Sequence, residues 1–211
     1  MPDEEGLALT ALAATIAGGP SCADALTLAS AIVEIGAYCG RSTLYLAAGV
    51  AAASPGRPEG GGAVIFSVDH HHGSEENQAG WEHHDPELTN PSTGRMDTLS
   101  HWRAAIVGAG VEDLVVGVVG ESTLVARHWS ARLALLFIDG GHGEEVAWAD
   151  YRAWSPRVAV GGNLAIHDVF PDPADGGRPP YELYSAALES GEFAEQVDLA
   201  VGSLRVLRRT R

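Results

Sequence analysis

The sequence has few cysteines and no long apolar run, and each shortage excludes a class of protein. Cys22 and Cys39 are its only cysteines, too few for a disulfide framework and without the CxxC spacing of a zinc or redox site. No segment approaches the roughly 20 apolar residues that a membrane span requires. The acidic start MPDEE is unlike a signal peptide. We therefore expect a cytoplasmic protein with no membrane partner.

Basic residues are also scarce. The 211 residues include 28 acidic and 13 basic side chains, for a formal net charge of -15. Because such a field repels polyanions, nucleic acid is a poor partner, and a neutral or cationic small molecule fits better. The length and the 45% hydrophobic content are ordinary for a globular protein. We expect a single domain over residues 1–211 with one active site.

Short β-branched runs that end at Gly or Asp alternate with longer segments of helical period. This order predicts a doubly wound α/β fold, in which crossover helices cover a parallel sheet. The tail from 193 to 209 is typical of two further strands, joined through Gly202 as an antiparallel pair. The predicted strands are 31–36, 63–69, 114–120, 133–139 and 163–168, and the predicted helices are 41–53, 96–109, 122–130, 143–154 and 180–190.

Two segments lie outside this alternation. The N-terminal helical segment, 1–30, carries small apolar residues, which favours core packing; a cover over the active site or a homodimer contact are the alternatives. The insertion at 70–95 has no apolar period and contains five histidines, Trp81 and several acids. Because such long loops are commonly lids or binding loops, we expect a polar lid that binds the acceptor. A solvated loop and a metal site are the alternatives there.

The residues that follow each predicted strand are the candidate site, because open α/β sheets bind ligands beyond the carboxyl ends of their strands. Gly36 and Gly40 let the backbone turn tightly beside a ligand, and Ser42 opens a helix whose first amides can hold an anion or carboxylate. Asp69 ends the second strand, where a carboxylate can accept hydrogen bonds from ribose hydroxyls, although it can equally cap a helix. The absence of GxGxxG disfavours an oxidoreductase.

Three segments carry a resemblance to a known family. The first motif of S-adenosylmethionine-dependent O-methyltransferases, ExGxxxGxST, is matched by Glu34, Gly36, Gly40, Ser42 and Thr43. The segments beginning FIDGGH at 137 and GGNLAIHD at 161 are similar to FIDGxHxxxxxxxD and GGxxxxHD of bacterial O-methyltransferases. The resemblance covers nearly the whole chain. It is to the macrolide-sugar and cephamycin-type enzymes and, more distantly, to catechol O-methyltransferases.

The resemblance implies a class I methyltransferase: a Rossmann-like, doubly wound, mostly parallel seven-stranded sheet with a C-terminal antiparallel hairpin. S-adenosylmethionine is the implied cofactor, with its methionine part against the Gly36 turn and Glu34 organising that loop. The segment from Gly120 implies an adenine contact, although Ser122 is also a natural helix cap. The implied cofactor-binding residues are Glu34, Gly36, Tyr38, Gly40, Ser42, Asp69, His70, Gly120, Glu121, Ser122 and Asp139.

The resemblance also implies a divalent metal ion held by Asp139, His167 and Asp168. A bound cation lowers the pKa of an acceptor hydroxyl and places it near the methyl group. Oxygen ligands suit Mg²⁺, whereas the imidazole of His167 is better tolerated by Mn²⁺. Asp150 is expected to be solvated or structural rather than a ligand.

Three residues are candidate catalytic groups: His142, Asp139 and His167. His142 is the candidate general base, because imidazole titrates near neutral pH; a cap on the following helix is its alternative role. We predict metal-assisted O-methylation of a hydroxylated small molecule, with a sugar or glycosylated acceptor first and a polyketide or phenol second. Metal-independent methylation with His142 or His167 as base, and a non-catalytic nucleotide-binding module, are the alternatives.

Overall fold

A computed structural model describes residues 1–19, 31–53, 62–74, 77, 85–141, 143–172 and 174–211. Its α-helices are α1 (Asp3–Gly18), α2 (Arg41–Ala53), α3 (Leu99–Ala109), α4 (Ser122–Arg127), α5 (Glu144–Trp154) and α6 (Arg178–Glu189). Its strands are β1 (Ala31–Ile35), β2 (Val64–Asp69), β3 (Thr89–Asn90), β4 (Arg95–Met96), β5 (Val115–Val119), β6 (Leu133–Ile138), β7 (Val158–Ile166), β8 (Phe193–Glu195) and β9 (Arg205–Arg209).

Seven strands form one sheet in the order β5-β2-β1-β6-β7-β9-β8. The first five are parallel, and β9 pairs antiparallel with both β7 and β8. This confirms the predicted doubly wound sheet with its closing antiparallel hairpin. The strand order reverses between β1 and β6, the place where open α/β sheets bind their ligands.

Helices cover both faces of the sheet, which explains why its central strands are largely apolar. Every residue of β1 and β6 is buried, as expected for parallel strands covered on both sides. One core contains Leu9 of α1, Leu46 of α2 and Trp102 of α3. The other contains Trp154 of α5 and Leu183 of α6.

Helix α1 bears out the core-packing interpretation of the N-terminal segment. Leu9, Leu12 and Ala13 are buried, and the helix packs along α2. The rest of that segment, 20–30, lies outside the described residues. No helix within the described ranges is long and apolar enough to cross a membrane.

Most helix and strand boundaries lie within three residues of the prediction, and two parts of the chain differ more. Strand β7 begins at Val158, five residues before the predicted start, because a bulge accommodates the 161–162 glycines: Leu133 pairs with Val158, but Leu135 pairs with Asn163. The 70–95 insertion contains a 3₁₀ turn, Pro86–Leu88, and the antiparallel β3–β4 pair. Neither was visible in its composition.

Candidate active site

The carboxyl ends of the five parallel strands open into one cleft of about 900 Å³. A cavity of this size is within the range of sites that hold cofactors and small substrates. Asp69, Gly120, Asp139 and Asp168 each follow or end a different strand and meet at this edge of the sheet. Nine of the predicted site residues line the cleft: Gly36, Tyr38, Asp69, His70, Gly120, Glu121, Ser122, Asp139 and Asp168.

Other predicted site residues lie behind the cleft wall or outside the described residues. Glu34, Gly40, Ser42 and His167 are buried and do not line the cleft. Glu34, Gly40 and Ser42 therefore have supporting positions behind the cleft wall, whereas His167 also lies beside the cleft-lining Asp139 and Asp168. His142, the candidate base, lies outside the described residues, as does Trp81 of the insertion.

Glu34 is the centre of a buried hydrogen-bond network below the β1–α2 turn. Its Oε2 accepts hydrogen bonds from the hydroxyls of Thr43 at 2.5 Å and Ser67 at 2.7 Å. Burial raises the pKa of Glu34 to about 7, against the lowering effect of the hydroxyls of Ser42, Thr43 and Ser67. The carboxylate thus ties β1, β2 and the first turn of α2 together, which fits the predicted role of organising this loop.

Gly36 is required by a close approach of two strand ends. It has a φ of 88°, and a Cβ there would lie 2.7 Å from the Cα of Gly140 and overlap the carbonyl of Asp139. The Gly36 N–H donates to Val68, and the Asp139 N–H donates to Ile35. The ends of β1, β2 and β6 are therefore joined directly at the floor of the cleft.

Asp69 anchors the loop after β1. Its Oδ2 accepts hydrogen bonds from the N–H groups of Ala37 and Tyr38, both at 2.9 Å, and its Oδ1 accepts one from His71 at 2.7 Å. It caps none of the described helices. Because an ionised carboxylate has about four acceptor positions, it keeps capacity for a ligand hydroxyl on the cleft side.

Asp139, His167 and Asp168 form the cluster that the sequence predicted as a metal site. Their ligand atoms all lie within 4.8 Å of one another. His167 Nδ1 is 2.9 Å from Oδ1 of Asp139 and 3.2 Å from Oδ1 of Asp168, yet neither contact has the angle of a hydrogen bond. This donor set fits a divalent cation. It consists of two cleft-facing carboxylates and one buried nitrogen that has no aligned hydrogen-bond partner among the described residues.

A fourth residue, Glu5 of α1, holds this cluster from behind. Its Oε2 lies 2.7 Å from Nε2 of His167, and its Oε1 accepts hydrogen bonds from the N–H and hydroxyl of Ser203. Burial opposes the charge of His167, but Asp139 and Asp168 outweigh that effect and raise its pKa to about 10. Sequence reasoning missed Glu5, because nothing in DEEG distinguishes it from its exposed neighbour Glu4.

Asp150 takes the structural one of its two expected roles, and Ser122 is not the helix cap that its position in the sequence also suggested. Asp150 is buried, not solvated, and burial raises its pKa to about 6. The Ser122 hydroxyl donates to Asp150 and accepts from the indole N–H of Trp154. Ser122 is the first residue of α4 and not its cap. Glu121 occupies the N-cap position and makes no side-chain capping hydrogen bond.

The consecutive histidines after β2 point in different directions. His70 lines the cleft. His71 is buried, with Nδ1 2.8 Å from the Thr98 hydroxyl and its ring against Trp102. His72 Nδ1 lies 3.1 Å from the Met96 carbonyl oxygen. Only His70 of the three is placed to contact a ligand in the cleft.

Comparison with known proteins places this architecture in a family. Residues 33–169 match a family model described as a methyltransferase domain. The O-methyltransferase TomG from Streptomyces achromogenes, involved in tomaymycin synthesis and solved with SAM, has 15% identity and a TM-score of 0.60 over 100% of this chain and 82% of TomG. CalS11, a TDP-rhamnose 3'-O-methyltransferase, has 16% identity and a TM-score of 0.64 over 98% of this chain and 79% of CalS11.

Proteins with the same fold act on different acceptors. An rRNA methylase from Streptococcus thermophilus has 12% identity and a TM-score of 0.54 over 96% of this chain and 94% of its own. These likenesses establish the fold and leave the acceptor open. Because the family match spans most of the chain and includes every strand end around the cleft, this protein belongs to the methyltransferase domain family and has its Rossmann-like, class I fold.

Proposed function

We propose that the protein is an S-adenosylmethionine-dependent O-methyltransferase that acts on a sugar or glycosylated small molecule with the help of a divalent metal ion. One observation carries the proposal. The Gly36 turn and the Asp69 carboxylate line the same cleft as Asp139 and Asp168, the two cleft-lining members of the cluster that includes His167. The first pair suits a nucleoside-containing cofactor, and the second suits an acceptor hydroxyl.

S-adenosylmethionine would supply an electrophilic methyl group. The Gly36 turn lets the end of β1 close against Asp139 at the cleft floor, and the remaining lone pairs of Asp69 would accept the ribose hydroxyls. Gly120, Glu121 and Ser122 also line the cleft, and the adenine would lie against them. The protein's contribution here is alignment and the exclusion of water.

The acceptor side would be organised by Asp139 and Asp168, with His167 behind them. A divalent ion bound there would lower the pKa of the acceptor hydroxyl. His142 remains the proposed general base. His167 is poorly suited to that role, because its ring is buried and each ring nitrogen already lies within 3.2 Å of a carboxylate oxygen. The described residues of the 70–95 segment that line the cleft, including Ser74 and Asn77, support the proposed lid.

The charge of the cleft bears on the acceptor. Asp85, Glu121, Glu145 and Asp168 are among its acidic lining residues, and no arginine is among the described lining residues. The sequence contains no lysine. Such a cleft repels a diphosphate and favours a neutral or amine-bearing acceptor. We therefore propose that the acceptor is a sugar already attached to its aglycone, or an amino sugar, rather than a nucleotide sugar.

The direct test is calorimetric titration of S-adenosylhomocysteine into the purified chain, with Mg²⁺, with Mn²⁺ and with chelator, followed by a methyl-transfer assay on neutral, amine-bearing and nucleotide-linked sugars. We expect cofactor-product binding, methyl transfer that needs the metal, and rejection of nucleotide sugars. Absence of any binding of S-adenosylhomocysteine would overturn the proposal.

Metal-independent methylation is the second candidate. It is favoured by the contacts of His167 with both carboxylates, since a protonated imidazole would already supply them with a positive partner. Methyl transfer that persists undiminished in chelator would select this candidate.

A further inference from the structure

Glu5 and His167 form a buried pair between elements that are far apart in sequence. Only 2% of Glu5 and 4% of His167 is exposed, and Oε2 of Glu5 lies 2.7 Å from Nε2 of His167. The other carboxylate oxygen accepts the backbone N–H of Ser203 at 2.6 Å and its hydroxyl at 2.9 Å. With both oxygens engaged, the carboxylate cannot rotate away from the imidazole ring.

The turn at 201–204 is shaped to receive Glu5. Gly202 has a φ of 54°, and a Cβ there would lie 3.1 Å from the carboxyl carbon of Glu5 and overlap Oε1. A side chain at this position would push Glu5 out of its pocket. Helix α1 and the β8–β9 connection are therefore fitted to each other around one carboxylate.

The opposite nitrogen of His167 faces the cleft side. Nδ1 lies 2.9 Å from Asp139 and 3.2 Å from Asp168, is buried, and has no aligned hydrogen-bond partner among the described residues. A carboxylate that accepts the proton of one ring nitrogen leaves the lone pair of the other nitrogen free, which is the arrangement that outer carboxylates impose on metal-binding histidines. A cation bound at this site would displace the Nδ1 proton that the two carboxylates favour, and the Nδ1 lone pair would then point at the cation between those carboxylates.

We propose that Glu5 is a positioning residue that fixes the tautomer and orientation of His167, so that the proposed metal site contains an imidazole nitrogen and prefers Mn²⁺ to Mg²⁺. This inference depends on the metal site in the proposed function. Magnesium strongly prefers oxygen ligands, whereas affinity for nitrogen ligands grows along the first-row transition metals. Loss of an outer carboxylate typically costs 10- to 100-fold in metal affinity.

The experiment uses Mn²⁺ as the probe on the full chain with S-adenosylhomocysteine bound. Calorimetry gives the affinities for Mn²⁺ and Mg²⁺, and pulsed electron paramagnetic resonance detects ¹⁴N coupling from a coordinated imidazole. We expect at least tenfold preference for Mn²⁺ and a ¹⁴N signal in the wild type. Glu5→Ala should lose at least tenfold in Mn²⁺ affinity, with partial rescue in Glu5→Gln, whose carbonyl oxygen still accepts the Nε2 proton. Glu4→Gln, the exposed neighbour, should match the wild type.

Each outcome either supports or overturns the inference. If Glu5→Ala unfolds, Glu5→Met, which keeps the side-chain volume but cannot accept a strong hydrogen bond, replaces it, with unchanged affinity for S-adenosylhomocysteine as proof of an intact cleft. A wild type without ¹⁴N coupling, or a folded Glu5→Ala or Glu5→Met variant with undiminished Mn²⁺ affinity and coupling, overturns the positioning role while leaving methyl transfer in place. A wild type that binds S-adenosylhomocysteine but no Mn²⁺ overturns the metal site and this inference together. Failure to bind S-adenosylhomocysteine instead contradicts the proposed function itself.

Discussion

The hydroxyl of Thr43 lies 2.5 Å from a carboxylate oxygen of Glu34, and both side chains are completely buried. Burial raises the pKa of Glu34 to about 7. The Glu34 carboxyl group therefore stays protonated over a pH range in which an exposed glutamate is ionised. The folded chain therefore binds a proton that the unfolded chain releases between about pH 4.5 and pH 7.

The first prediction concerns the pH dependence of stability. Because the folded-state pKa of Glu34 is raised, its contribution to the free energy of unfolding is fully present below about pH 4.5 and is lost as pH rises through about 7. Glu34→Gln should remove this loss, which is at most about 3 kcal/mol at 1.36 kcal/mol per pKa unit. Urea unfolding at pH 5, 6, 7 and 8 measures it. Glu112→Gln, at an exposed carboxylate, is the control, and parallel pH profiles for wild type and Glu34→Gln would contradict the prediction.

The second prediction compares two glycines with positive φ. Gly36→Ala should destabilise the fold by several kcal/mol and abolish binding of S-adenosylhomocysteine, because its Cβ would overlap the backbone at Asp139. Gly94 has a φ of 67°, and the position that a Cβ would take there has no atom within 4 Å. Gly94→Ala should therefore cost only about 1 kcal/mol of backbone strain. Thermal unfolding measures the stability of both variants, and calorimetry measures their affinity for S-adenosylhomocysteine. Equal effects of the two substitutions would refute the close-approach argument.

The third prediction concerns Asp69. Asp69→Asn keeps one acceptor oxygen and loses the charge, so the β1–α2 loop should loosen and affinity for S-adenosylhomocysteine should fall more than tenfold. The exposed Asp113→Asn serves as the matched control. Calorimetry gives both affinities, and full affinity in Asp69→Asn would remove this carboxylate from the proposed ribose site.

The fourth prediction tests the charge of the acceptor with two adjacent residues. Glu145 lines the cleft, whereas Glu144 beside it does not, and both are exposed at the start of α5. Glu145→Gln should raise the KM for an amine-bearing acceptor a few-fold and leave kcat unchanged, while Glu144→Gln should change neither. The KM difference should shrink at high salt, because exposed charges are screened. Faster turnover of a nucleotide sugar than of a neutral glycoside would count against the charge argument.

The parallel sheet was predictable because its strands are short, largely apolar and followed or ended by Gly or Asp. Helix α2 begins and ends at the predicted residues 41 and 53. Gly40 marks the end of the preceding turn in the sequence, and the Pro/Gly segment marks the end of the helix. The start of β7 was missed because its glycines resemble a loop in sequence, although in the sheet they form a bulge.

The buried residues behind the cleft wall could not be predicted from the sequence. Glu5 meets His167 across 162 residues, and this contact depends on how α1 packs against the sheet. Local patterns placed His167 at a strand end but gave no reason to choose one buried acid among Asp3, Glu4 and Glu5. Asp150 lies on the predicted helix 143–154, but the packing of α4 on α5 that buries its carboxylate could not be read from the sequence.

Tyr38, His71 and Asp168 are the non-glycine residues with positive φ in the described part of the chain, and each follows a different strand at the cleft edge. Such conformations cost about 1–3 kcal/mol each. The protein thus gives up conformational stability where a ligand would bind. Directed evolution for heat tolerance should accordingly find a substitution to glycine or asparagine early at Tyr38, the exposed one of the three, and should find it at the expense of turnover.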